Sequence, residues 1–173
     1  MKYSKALIMA GLMMTTQAFA ADLAHGDKSF IEKAAHAGQV EIEASKLAQT
    51  KATSPEVKSF ADQMIKDHEA VASELSTLAT AKGVKLPDDP SPLQKGKLKL
   101  LNTHDGASFD KHYMSDIGVD AHKDAVKLFE KASRDAKDPE LKAWAAKTLP
   151  ALQHHLEMAQ TLNAEVKKTA AAK

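Results

Sequence analysis

Three histidines stand on apolar helical stripes, one in each of three separate stretches of the chain. His68 lies four residues after Met64 and three before Val71. His122 lies three after Val119 and four before Val126, and His155 lies three after Leu152 and four before Ala159. Spacings of three and four put a residue on the same helix face as its apolar neighbours, so all three imidazoles are expected at the interior or its boundary. Neutral imidazole is a common metal ligand, and several of them meeting in one place suit Zn, Cu, Ni or Fe. A fourth stretch offers His36 and Glu41 or Glu43. Asp67 beside His68 and Asp120 near His122 could accept hydrogen bonds from the ring nitrogens that face away from an ion. Met64 and Met158 each sit within a turn of a histidine, where a thioether would favour copper(I).

Each of these has a plainer reading. Interior histidines also occur as hydrogen-bonded core residues, methionines as core filler, and Glu41 and Glu43 as solvated helix charges. His25, His104, His112 and His154 read as surface or loop residues.

Four long helices must position the three stripes. The first is expected over residues 27–51, with Asp27 as N-cap. Thr53-Ser54-Pro55 ends it and starts the second, with Ser54 as N-cap and Pro55 in the first turn, running to about residue 82 before Gly83. Residues 84–92 (VKLPDDPSP) are a proline-rich connection, followed by a short helix over about 93–102 and a break at Gly106. A third long helix is expected over 108–135. Asp138-Pro139 repeats the capping signal for a fourth, to about 166, with Pro150 inside it as a source of a kink. Ser54-Pro55-Glu56-Val57-Lys58-Ser59-Phe60-Ala61 echoes Asp138-Pro139-Glu140-Leu141-Lys142-Ala143-Trp144-Ala145. Each segment opens the second helix of an αα-hairpin. Two hairpins with a long connection make an all-α four-helix bundle about 40 Å long at 1.5 Å rise per residue. Counted from their turns, His68, His122 and His155 all fall near mid-bundle, whether or not the long connection crosses over.

Composition bounds the rest. The chain has 173 residues, a formal net charge of +1, 27% charged residues and no cysteine. That is one globular domain, without disulfides, thiolate metal sites or a cysteine nucleophile. The near balance of charge argues against nucleic acid as a partner. Lys2 and Lys5, the apolar run from Leu7 to Met14 and Ala18-Phe19-Ala20 form a cleavable export signal. A signal peptide over 1–20, cleaved after Ala20, would leave a 21–173 domain in the periplasm. No later segment is long and uncharged enough to span a membrane.

Mechanism-bearing enzyme motifs are missing. The chain contains no Glu-x-x-His pair of the kind di-iron carboxylate bundles use, no G-x-S-x-G, no H-E-x-x-H and no P-loop. A non-catalytic protein is expected.

The segments Phe30–Ala52, Val57–Ala79, Phe109–Ala132 and Leu141–Ala159 carry a resemblance. Together with Phe60-Ala61…Asp67-His68, His122…Phe129 and Leu149-Pro150…His155-Leu156, they are similar to a bacterial exported domain-of-unknown-function family with a ferritin-like fold, often labelled predicted outer membrane protein. The resemblance implies a ferritin-like four-helix bundle and little about activity. Its pattern carries over to His68, His122, His155 and Glu43; His36 falls outside it.

Three functions are therefore open. The first is a periplasmic binder of a transition ion (Cu, Zn or Fe) in envelope stress or metal handling, through His68, His122 and His155 with Glu43 or His36. The second is a metal-free structural or acid-responsive stress protein, in which buried neutral histidines titrate below their ordinary value and lose stability on acidification. The third is an interaction module that meets an envelope partner through the 84–92 connection and the short helix after it.

Overall fold

The computed structural model describes residues 23–171; the expected signal peptide and its cleavage site lie outside the described residues. The elements are α1 (His25–Lys51), α2 (Pro55–Ala81), α3 (Pro92–Leu101), α4 (Gly106–His112), a π-helical segment (Tyr113–Ala121), α5 (His122–Asp135) and α6 (Pro139–Ala171). All regular structure among the described residues is helical, and the arrangement is a ferritin-like bundle. None of these helices is long and apolar enough to cross a membrane.

Local chemistry sets the ends. Ser54 Oγ accepts from the Val57 amide and Pro55 occupies the first turn of α2. At the other end Gly83 (φ 67°) lets the Val84 amide reach the Ala79 carbonyl at 2.9 Å and its own amide reach Thr80, the Schellman pattern. Ser91 and Gln94 cap α3 reciprocally. Asp138 Oδ1 accepts from the Glu140 and Leu141 amides at the start of α6. That helix runs unbroken through the exposed Pro150.

Asp27 does not cap α1, as its sequence position suggested. The helix starts two residues earlier, and the residue before it, Ala24, makes no side-chain cap bond. The Asp27 carboxylate is 4% exposed and accepts from the Lys137 and Asp138 amides, in the turn between α5 and α6. Asp110, also 4% exposed, does the reciprocal job for the first hairpin. It accepts from the Thr53 amide, the Thr53 hydroxyl and the Ser54 amide in the turn between α1 and α2. Each hairpin thus clamps the other's turn from the start of its own first long helix.

These clamps settle the topology. The start of α4 lies by the α1–α2 turn, and the start of α1 by the α5–α6 turn. The connection therefore crosses the length of the bundle along α1. Gln39 Nε2 donates to the Pro87 carbonyl, and Lys51 Nζ donates to the Asn102 carbonyl. Two apolar clusters fill the interior. One, at the α1–α2 turn end, includes Phe60, Met64, Phe109, Tyr113 and Ile117. The other includes Phe30, Leu75, Phe129, Leu141 and Trp144. On α2 the first cluster reaches Met64 and the second resumes at Val71; on α6 the second ends at Leu152 and the first resumes at Leu156. A polar layer occupies the gap.

Candidate metal centre

The gap holds His68, His122 and His155, exposed by only 3%, 0% and 4%. Their ring centroids form a near-equilateral triangle with sides of 5.4, 5.4 and 5.5 Å. One ring nitrogen from each lies within 4.8 Å of the others. Packing dictates this convergence. Each histidine stands between a residue of one apolar cluster and a residue of the other, so its helix stripe must carry it inward.

Hydrogen bonds sort the six ring nitrogens. His68 Nδ1 lies 3.0 Å from Glu41 Oε2. His122 Nδ1 lies 3.1 Å from the Ile117 carbonyl oxygen, and His155 Nε2 lies 2.9 Å from Asp67 Oδ2. All three partners are acceptors, so each of these nitrogens carries hydrogen and donates. That leaves His68 Nε2, His122 Nε2 and His155 Nδ1 as the uncommitted set. His68 Nε2 and His122 Nε2 face each other at 3.4 Å. Two bare lone pairs at that distance in a buried place repel, so a cation belongs between them. A proton shared from an imidazolium His68 to His122 satisfies the pair. So does a metal: with metal–nitrogen bonds of about 2.0–2.1 Å, a tetrahedral edge is about 3.4 Å. His155 Nδ1 is buried with no partner at all.

Glu41 controls the charge of the layer. It is 2% exposed, and burial alone would raise its pKa; the charges of His68 and His122 and the hydrogen bond from His68 outweigh that and hold it at about 2. Burial pushes His68 down, but the Glu41 charge and hydrogen bond prevail, and it stands above its ordinary value. Burial carries His155 below its ordinary value, against the pull of the Asp67 hydrogen bond. The expectation of uniformly depressed histidines thus fails at His68, because a carboxylate is buried beside it. Glu41 Oε1 is 3.9 Å from His122 Nδ1 and has no hydrogen-bond partner. The carboxylate lies on the Nδ1 edges of both rings, away from the Nε2 edges that meet. From there it can orient the imidazoles and balance their charge, and it does not face the space between the Nε2 atoms.

The α1 side chain that reaches the trio is Glu41; Glu43 and His36 do not. Glu43 is exposed on the far side of α1, two residues and about 200° of helix rotation from Glu41. His36 is half-buried and outside the trio, with its Nδ1 unpartnered. Asp67 takes the accepting role expected of it, though toward His155 rather than its neighbour His68. Asp120 instead faces solvent and pairs with Lys123.

Sequence reasoning missed the device that places His122. The nine residues before it are π-helical, and its ring takes the Ile117 carbonyl within that segment. Gly118 lies in the same stretch. A Cβ there would meet the Met114 methyl at 2.9 Å and Ala159 Cβ at 3.2 Å, so this glycine sets how closely α6 approaches. Tyr113 at the start of the segment bonds the Ser45 hydroxyl at 2.8 Å, and Ser45 bonds the Glu41 carbonyl. The π segment is thereby tied to the turn of α1 that carries the carboxylate.

Comparison with known proteins agrees with the fold. A family model described as domain of unknown function DUF4142 matches residues 12–162, and the chain belongs to that family. Its fold is similar to that of a DUF305 fragment from Deinococcus radiodurans, with a TM-score of 0.73 at 11% identity, covering 84% of this chain and 99% of that one. It is also similar to a DUF305 protein from Streptomyces coelicolor described as secreted, with a TM-score of 0.68 at 16% identity over 82% and 94%. The Cu(I)-bound form of CopM gives a TM-score of 0.66 at 21% identity over 80% and 96%. No curated protein matches the chain.

Proposed function

We propose that this DUF4142 protein is an exported, non-catalytic metal-binding protein. It holds one first-row transition ion, copper in preference to zinc or iron, on His68 Nε2, His122 Nε2 and His155 Nδ1. The observation that carries the reading is the convergence of three buried imidazoles, one nitrogen of each within 4.8 Å of the others, with the uncommitted Nε2 atoms of His68 and His122 3.4 Å apart. Each opposite nitrogen is anchored to an acceptor, which is how metal-binding histidines are usually held. A set of neutral imidazoles suits copper, zinc, nickel and iron alike, and the general order of affinities puts copper(II) first. That two structures of similar fold are CopM bound to Cu(I) and to Cu(II) points the same way, at the level of fold alone. Export to the periplasm rests on the basic, apolar and small-residue pattern of residues 1–20, and the secreted DUF305 neighbour is in keeping with it.

Calorimetric titration of the metal-free chain from Ala21 with Cu(II) and with Zn(II) tests this. One ion per chain, bound more tightly than roughly micromolar and lost in His68→Ala and His155→Ala, is the expected result. Binding weaker than micromolar, or binding untouched by both substitutions, leaves the histidine layer as hydrogen-bonded core.

A further inference from the structure

The trio is sealed by apolar clusters at both ends of the bundle, so an ion must pass between helices to reach it. A cavity and a groove touch it. One is a cavity of about 70 Å³ beside His68, lined by small and apolar residues such as Gly38, Ala72 and Trp144. It is too small and too apolar for a hydrated cation. The other is a groove of about 940 Å³ between α2 and α6 that ends on His155. Its acidic walls are Glu56, Asp67, Glu157 and Glu165, with no lysine or arginine among the lining residues.

His155 is the one member of the trio that lines the groove. Its ring joins the two compartments. Nε2 bonds Asp67, a groove residue with 31% of its side chain exposed. Nδ1 is buried, unpartnered and in want of an electrophile. His154 and Met158, neighbours of His155 on α6, line the same groove. An acidic cleft with low-dielectric walls concentrates cations, and a thioether and an imidazole beside its floor are copper ligands.

We propose that this groove is the entry route for the ion: Asp67 and Glu157 attract it, His154 and Met158 hold it first, and His155 passes it to the buried centre. The proposal rests on the metal-binding reading above. Residues of a route change the rates of association and dissociation together, whereas ligands of the final site change the equilibrium.

Stopped-flow mixing with Cu(II), read by quenching of Trp144, separates the cases. Trp144 is the chain's sole tryptophan and shares the small cavity with His68. In the Glu157→Lys, Glu165→Lys variant we expect association at low salt to slow about tenfold, and the deficit to shrink as salt is added. In His154→Ala, Met158→Ala, association and dissociation should both slow, with one ion still bound per chain. Asp88→Lys, Asp89→Lys carries the same change of net charge outside the groove lining and should stay within about twofold of wild type. Groove variants as fast as wild type, or a control slowed as much as they are, would overturn the route. A wild-type chain that takes up no Cu(II) at equilibrium overturns the metal-binding reading itself, a result the rates cannot mimic.

Discussion

The two hairpins use the same parts and differ at one place. In each, an aspartate at the start of the first long helix clamps the partner's turn, and a capped proline opens the second. In each, the first helix and the second helix send one polar side chain to the central layer: Glu41 and His68 from one hairpin, His122 and His155 from the other. Asp27 precedes Ser54 by 27 residues, and Asp110 precedes Asp138 by 28. The second hairpin carries one residue more between its clamping aspartate and the cap of its second helix, and it is the one that contains the π segment. Its first helix contributes an imidazole where that of the first hairpin contributes a carboxylate. A repeated scaffold has been given unlike halves of one site.

The largest effects should come from the shared parts. Asp27→Ala and Asp110→Ala each remove a buried carboxylate that accepts from two turn amides, and Asp110→Ala takes the acceptor from the Thr53 hydroxyl as well. Each should cost about 3 kcal/mol in urea unfolding, with Asp110→Ala the costlier. Equal and negligible losses would dissolve the parallel between the clamps.

Next come the unlike carboxylates. Glu41→Gln should weaken copper binding about 100-fold and Asp67→Asn about tenfold, because solvent can replace Asp67 beside His155 but cannot reach Glu41. Calorimetric titration gives both values, and the reverse order would mean that the exposed carboxylate governs the centre.

The glycines sharpen the contrast between the first helices. Gly118→Ala must push against Met114 and Ala159 and should cost about 1 kcal/mol after the gain in helix propensity. Gly38→Ala meets nothing within 4 Å and should stabilise by about 0.5–1 kcal/mol. Denaturant midpoints decide the signs.

The smallest effect is in pH. His68 stands above its ordinary 6.5, so its contribution to metal-free stability is present below 6.5 and lost as pH rises through its folded value. His155 stands below 6.5, so its contribution is present above 6.5 and lost as pH falls toward its folded value. The two oppose each other, and the melting temperature in chelator should change little from this layer between pH 7 and 5. Glu41→Gln removes what holds His68 up, and its melting temperature should fall on acidification over the same range.

Most of the scaffold was legible in the sequence. Ser54-Pro55 and Asp138-Pro139 mark helix starts by chemistry that acts within one turn, and Gly83 marks an end. The spacing of the three histidines among apolar residues pointed them inward, and counting from the turns placed them at one level. What was hidden depended on partners far along the chain. Glu41 reads as a solvated charge because a lone buried carboxylate is costly, and the imidazole that stabilises it lies on another helix. Asp27 reads as a cap because its amide partners are 110 residues away. The π segment over residues 113–121 has no counterpart in the local apolar pattern, which reads there as ordinary helix. The crossing of the connection was left open by the sequence and is settled by the clamps.

The reciprocal aspartates also bear on how the protein folds. Neither interhelical turn meets its carboxylate acceptor until the opposite hairpin has docked, so a half-molecule expressed alone lacks the bonds that fix its own turn. Assembly is then closer to a single cooperative event than to stepwise addition of helices. Urea should melt both halves at one midpoint, whichever half carries the probe.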